Sequence, residues 1–284
     1  MRRLALVMIA AFLVLAPRAR AQDAAAPDTV ARRKAMFPLM QDLVKDRPQL
    51  PPPYGVAVID NWIGSEWKFT QAAIGIDDPN IPAGFANKCT ANIDGTTLGI
   101  KPDLWLLPFF DVFFAAGYAH STNQLILRDV PIKFVPGPGT TVHGDVVVDF
   151  DLDGTFVTYG GVLAGGYKKF FSSIDMTATD TNFGKKDRVT PDQAFTYSVA
   201  PRVGYVIGLS QVWVGARYIN SATHFVGDIP IPSGQNFSFD VRLKTASWNF
   251  GGGLRTVIKQ HWEVLLDAGG GGRHMITSSL AYRW

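Results

Sequence analysis

The chain has 284 residues, 47% of them hydrophobic and 18% charged, with a formal charge of +3 and one cysteine, which excludes an internal disulfide framework. Four arginines (2, 3, 18 and 20) fall in the first 21 residues, where there is no acid. The rest therefore carries 23 basic against 24 acidic residues, a charge of −1, which removes the main support for nucleic acid binding.

Arg2 and Arg3 precede an apolar run from Leu4 to Ala16, and Ala19-Arg20-Ala21 supplies small residues before Gln22. This layout predicts a secretory signal peptide over residues 1–21. The run is shorter than the roughly 20 residues a spanning helix needs. No later segment is long and apolar enough for a membrane helix, so a closed barrel is the remaining way to cross lipid with every backbone group paired.

Residues 22–53 differ in pattern from residues 54–284. Thr29 to Lys45 has helix-like spacing broken by Pro38, and Pro51-Pro52-Pro53 imposes an extended connector. Two readings stay open here: a periplasmic lead-in, or a plug that folds into the pore. From Tyr54 to Trp284, alternation with a period of two recurs between turns. Leu98, Ile100, Leu104 and Leu106 oppose Lys101, Asp103 and Trp105. Val112, Phe114, Ala116 and Tyr118 come after a connection at Pro108–Asp111. Val157, Tyr159, Leu163 and Tyr167 oppose Thr158, Gly160, Ala164 and Lys168. Phe170, Ile174 and Met176 oppose Ser173 and Asp175, and Phe195 to Ile207 sets Tyr205 opposite Arg202. Val212, Val214 and Tyr218 oppose Arg217. Trp248, Phe250 and Leu254 oppose Arg255, and Trp262, Val264 and Leu266 oppose Glu263 and Asp267. In the last nine residues Ile276, Ser278, Leu280, Tyr282 and Trp284 oppose Thr277, Ser279, Ala281 and Arg283.

Connections near 108, 168, 209 and 259 read as short; those near 80–91, 180–192 and 222–238 read as long and polar. Residues 119–153 leave the strand number open. Gln124–Phe134 and Val142–Phe150 are either two further spanning strands, giving twelve, or outer extensions of their neighbours, giving ten. Arg128, Asp129, Asp145 and Asp149 spoil both faces, which favours ten.

The aromatic end, Ile276 to Trp284, resembles the C-terminal signal of bacterial outer-membrane β-barrel proteins, an alternating strand closed by an aromatic residue. The resemblance covers residues 54–284 and implies an all-β, antiparallel transmembrane barrel in the outer membrane of a Gram-negative cell. It implies contact with outer-membrane lipid and lipopolysaccharide, and engagement of the barrel-assembly machinery through the last strand. Tyr118, Tyr205, Trp248, Trp262, Tyr282 and Trp284 become membrane-interface anchors. Lys101, Asp103, Asp175, Arg202, Arg217, Arg255, Glu263 and Asp267, with Lys168 and Arg283, become lumen residues that either lock a narrow interior by ion pairing or form a selective constriction.

Other chemistry is sparse. Asp149, Asp151, Asp153 and Gly154 resemble the start of a calcium loop, but its twelfth position is Gly160 where a bidentate Glu is needed. A solvated loop or Asp-Gly turn is the expectation, with no metal and no cofactor. His120-Ser121 is the sole adjacent base and nucleophile pair and is no catalytic constellation by itself, so no enzyme activity is expected. The function expected is passive movement of small or hydrophobic solutes, the alternative being a non-conducting structural or surface-interaction barrel, adhesin-like or virulence-associated.

Overall fold

The computed structural model describes residues 52–76, 81–82, 88–132, 142–184, 189–191, 194–230 and 236–284, together with Leu39. The predicted signal peptide and nearly all of the predicted lead-in lie outside the described residues.

Ten strands form a ring: β1 (Tyr54–Ile76), β3 (Thr90–Leu107), β4 (Phe110–Ile132), β5 (Val142–Tyr167), β6 (Phe170–Phe183), β8 (Ala194–Ile207), β9 (Ser210–Pro230), β10 (Asn236–Ile258), β11 (Trp262–Gly271) and β12 (Arg273–Arg283). Each pairs antiparallel with the next, and β12 returns to β1 over Gly55↔Arg283 to Ser65↔Arg273. Two short pieces lie off the ring: β2 (Ile81–Pro82) against β1, and β7 (Val189–Pro191) against β9. Over the height where all ten strands are present the ring has no free edge, which is what a β-structure in lipid requires.

The connections at 108–109, 168–169, 208–209 and 259–261 are two or three residues long and share one end of the barrel, the periplasmic end in barrels of this type. Lys168, Lys259 and Gln260 reach positive φ there, as does Gly208. Lys168 is therefore an exposed turn residue, not a lumen residue as its parity predicted; the two-residue hairpin removes it from the strand. At the loop end the expected long polar segment 222–238 is mostly strand, because Thr223 and Phe225 continue the inward row of β9. The stretch joining β9 to β10 is 231–235.

The strands differ in length, and this changes the wall with height. The β11–β12 hairpin turns at Gly271–Gly272, and beyond it β1 pairs directly with β10, from Lys68↔Lys244 to Ile76↔Phe237. β6 and β8 also stop short, whereas β4, β5, β9 and β10 run on. The segments around Gln124 and Val148 are thus extensions of β4 and β5, and the ring has ten strands.

The hydrophobic pattern reverses along the strands. Near the turn end large apolar side chains point outward: Ile100, Val203, Val214 and Phe250 are all more than half exposed. A chain surrounded by water would not keep so continuous an apolar surface. Past Trp62, Tyr118, Tyr218 and Trp248 the sign flips. Lys68, Gln124, Asp149 and Arg242 now face outward, while Trp67, Leu125, Phe150 and Val241 pack inside. Trp248 and Ile258 are ten residues apart on β10, which at ~3.3 Å per residue and ~40° tilt is about 25 Å, the height of a membrane band.

Candidate functional site

The inside of the barrel contains a cavity of about 820 Å³ reaching from Pro108 and Phe109 at the turn end to Thr223 and Phe225. Its wall has two characters. β4, β5 and β6 contribute Phe113, Ala115, Phe156, Phe171 and Phe183. Three of these rings lie against glycines: Phe113 on Gly160 and Phe171 on Gly204 of the neighbouring strand, and Phe156 on Gly99 two strands away, past Gly117 of β4. A Cβ at any of the three would meet the ring, which explains glycine inside long strands better than a turn would.

The opposite wall, from β8 to β12 with Asp175 of β6 and Asp103 of β3 at its margins, is charged. Arg202 lies 3.2 Å from Asp267 and 3.5 Å from Asp175; Arg217 lies 3.1 Å from the same Asp267 oxygen. Nearer the turn end Glu263 accepts from Arg255 at 2.5 Å and from Arg283 at 2.9 Å. Arg283 Nη2 is also 2.8 Å from Asp103 Oδ2. That contact is an ion pair by distance without hydrogen-bond alignment, so both Asp103 oxygens lack a donor. Gly55 leaves room for this carboxylate, which sits 2.5 Å from where its Cβ would be. Lys101 lies over the Phe113 ring at 4.4 Å. Seven of the eight predicted lumen positions on the strands join in these ion pairs with Arg283, and the eighth, Lys101, lines the same cavity.

The predicted anchors all lie on the outer face. Trp262 packs edge-on against Tyr282 with centroids 5.2 Å apart, and Tyr282 stacks on Trp284. Tyr205 packs on Phe170 at 5.1 Å. At the other rim Trp248 meets Tyr218 at 5.3 Å, and Tyr118 donates to Asp153.

Above the cavity the interior is filled. Trp67, Phe69, Leu125, Leu127, Phe150, Leu152, Phe225, Phe239, Val241 and Leu243 form one buried apolar cluster inside the loop end. Cys89 is buried in it, and burial pushes its thiol pKa up, away from a reactive thiolate. The sequence reading missed this cluster, although its rows alternate with polar residues as clearly as the membrane rows do.

The Asp149, Asp151, Asp153 string is neither a loop nor a turn. It lies on β5, where the three carboxylates share the outer face; Asp149 accepts from Gln124 and Asp153 pairs with His120 at 2.8 Å. No group of metal-ligating side chains occurs among the described residues. Ser121 donates to Asn123 at 3.0 Å and His120 contacts Asp153, so the two are not brought together as nucleophile and base. The glycine run 251–253 is a close interstrand approach: Gly253 lies under Trp213, and Gly251 faces Gly269.

No family model and no curated protein matches the chain. Among solved structures it is similar to the transport unit of the autotransporter AIDA-I from Escherichia coli, at 12% identity over 85% of this chain and 92% of that one, with a TM-score of 0.40. It is also similar to the outer membrane protein OprG from Pseudomonas aeruginosa (12% identity, 84% and 100% coverage, TM-score 0.42). The translocator domain of the autotransporter NalP from Neisseria meningitidis is a third (10% identity, 86% and 91%, TM-score 0.39). The fold is a closed, ten-stranded antiparallel β-barrel, and it stands on the closed hydrogen-bond ladder of the chain itself.

Proposed function

We propose that the chain is an outer-membrane barrel that admits small, partly apolar solutes to an internal cavity and moves them passively toward the periplasm. The observation that carries this reading is the two-sided cavity of about 820 Å³, aromatic on one wall and ion-paired on the other. That volume suits a small molecule, and an aromatic wall recognises apolar bodies that a water-filled porin would not. In the same reading the apolar band meets lipid and lipopolysaccharide, and β12 is the strand offered to the assembly machinery.

The buried cluster at the loop end favours a second reading, a non-conducting structural or surface-interaction barrel, since it blocks a straight aqueous path. Expression in a porin-depleted Gram-negative host separates the two. Uptake of labelled indole should rise severalfold over a host with an empty vector, while glycerol entry stays at background. An indole rate equal to the empty-vector control rejects solute movement and leaves the structural role.

A further inference from the structure

The ion pairs of the lumen leave out one arginine. Arg273, the first residue of β12, is 3% exposed and lines the top of the cavity. No ion pair involves it among the described residues. Its guanidinium lies 5.4 Å from the Trp67 ring, and Nη2 donates to Ser221 Oγ at 3.1 Å and to the Thr245 carbonyl at 3.5 Å. Its Nε has no hydrogen-bond partner. The Asn249 side chain accepts from the Arg273 backbone N–H at 2.7 Å and so fixes the start of the strand, not the charge. On β9, Thr223 presents a second buried and unpartnered group, Oγ1, to the same cavity. Glu66, next to the Ser65 that pairs with Arg273, is exposed on the outer face, so the nearest cavity-lining acid along β12 is Asp267, opposite Thr277. Thr277 is four residues down β12 from Arg273, about 13 Å at strand rise, and Asp267 is already held by Arg202 and Arg217.

A buried cation without an acid is costly unless something else compensates it. Around Arg273 the cavity wall offers uncharged groups only: the Trp67 ring, Met275 two residues along β12, and the hydroxyl residues Ser65, opposite it by register, and Ser221. The geometry points to a binding site for a small organic carboxylate. The carboxylate accepts from Arg273 Nε and Nη and from the Thr223 hydroxyl, and the apolar body extends along the aromatic wall toward Phe183 and Phe156. This inference rests on the solute reading above and names its substrate class. Neutral solutes such as indole can use the aromatic wall but give Arg273 no anionic acceptor, and inorganic anions lack the body.

The test is calorimetric titration of the full chain, folded in detergent, with 4-phenylbutyrate, with its amide, and with inorganic phosphate. The carboxylate should bind at least tenfold more tightly than either, the loss expected when a charge-assisted hydrogen bond is removed. Arg273→Gln should weaken it at least tenfold, Thr223→Val severalfold, and Arg242→Gln, on the outer face of β10, not at all. Heat-modified gel migration reports whether each variant has folded. If Arg273→Gln does not fold, the carboxylate-to-amide ratio and Thr223→Val decide. Equal binding of carboxylate and amide overturns the proposal, as does phosphate binding as tightly as the carboxylate, or affinity unchanged in Thr223→Val and Arg273→Gln. Indole uptake without carboxylate binding rejects this site alone; carboxylate binding without uptake rejects the transport reading alone.

Discussion

The apolar cluster at the loop end should be the barrel's seal, and removing its centre should open it. Phe239 is fully buried and its ring lies over Gly227; Phe225 is 2% exposed and meets Phe150 edge-on at 5.5 Å. Phe→Ala in a core costs about 3–5 kcal/mol, depending on how far the surroundings collapse. Collapse is restrained here, because β9 and β1 hydrogen-bond to β10 on both sides of Phe239. Phe239→Ala should therefore cost about 4–5 kcal/mol in urea unfolding from lipid vesicles. Phe225→Ala should fall in the same range, with about 0.5–1.5 kcal/mol of it from the lost aromatic pair. In planar bilayers the unaltered barrel should carry no steady current, and the chain with both substitutions should carry a steady ohmic one. A steady current through the unaltered barrel, or silence from the folded double variant, would refute the assignment of the seal to these side chains.

The lower barrel offers three more tests. Leu266→Arg should cost about 2–4 kcal/mol because the position meets mid-bilayer lipid, and Ser279→Arg, which faces the lumen, should cost less; urea unfolding in vesicles compares them. Asp267→Asn leaves Arg202 and Arg217 short of a counter-charge and should cost about 3 kcal/mol, the low end for a buried pair since their side chains keep some contact with the cavity. Gly253→Ala places a methyl into the Trp213 ring and should cost about 1–3 kcal/mol. A double-mutant cycle with Trp213→Ala should recover most of that loss, and full additivity would show the contact to be unimportant.

The inside and outside of the membrane section are legible in the sequence, because a strand has a period of two and charges cannot face lipid. Thus Arg202, Arg217, Arg255 and Asp267 can be placed on the lumen face from parity alone. Strand number is less legible. Arg128, Asp145 and Asp149 look like blemishes on a lipid face, whereas they are the polar exterior of a section that stands in water. Arg273 is hidden by Gly269–Gly272, which reads as a turn and gives no parity for the residue after it. The longer pairings of the lumen charges are beyond sequence reasoning, since Arg202 on β8 and Arg217 on β9 reach Asp267 on β11 past the strands between them.

The reversal of the apolar face at Trp62, Tyr118, Tyr218 and Trp248 also holds the molecule at one depth. Sinking would drag first Asp153 and then Lys244 toward hydrocarbon, and rising would lift first Phe250 and then Val214 toward water. Both displacements carry a cost on every strand at once. The barrel is thereby keyed to a bilayer of one thickness, and in a thicker one the lipid has to thin around it, since the protein has no slack to give.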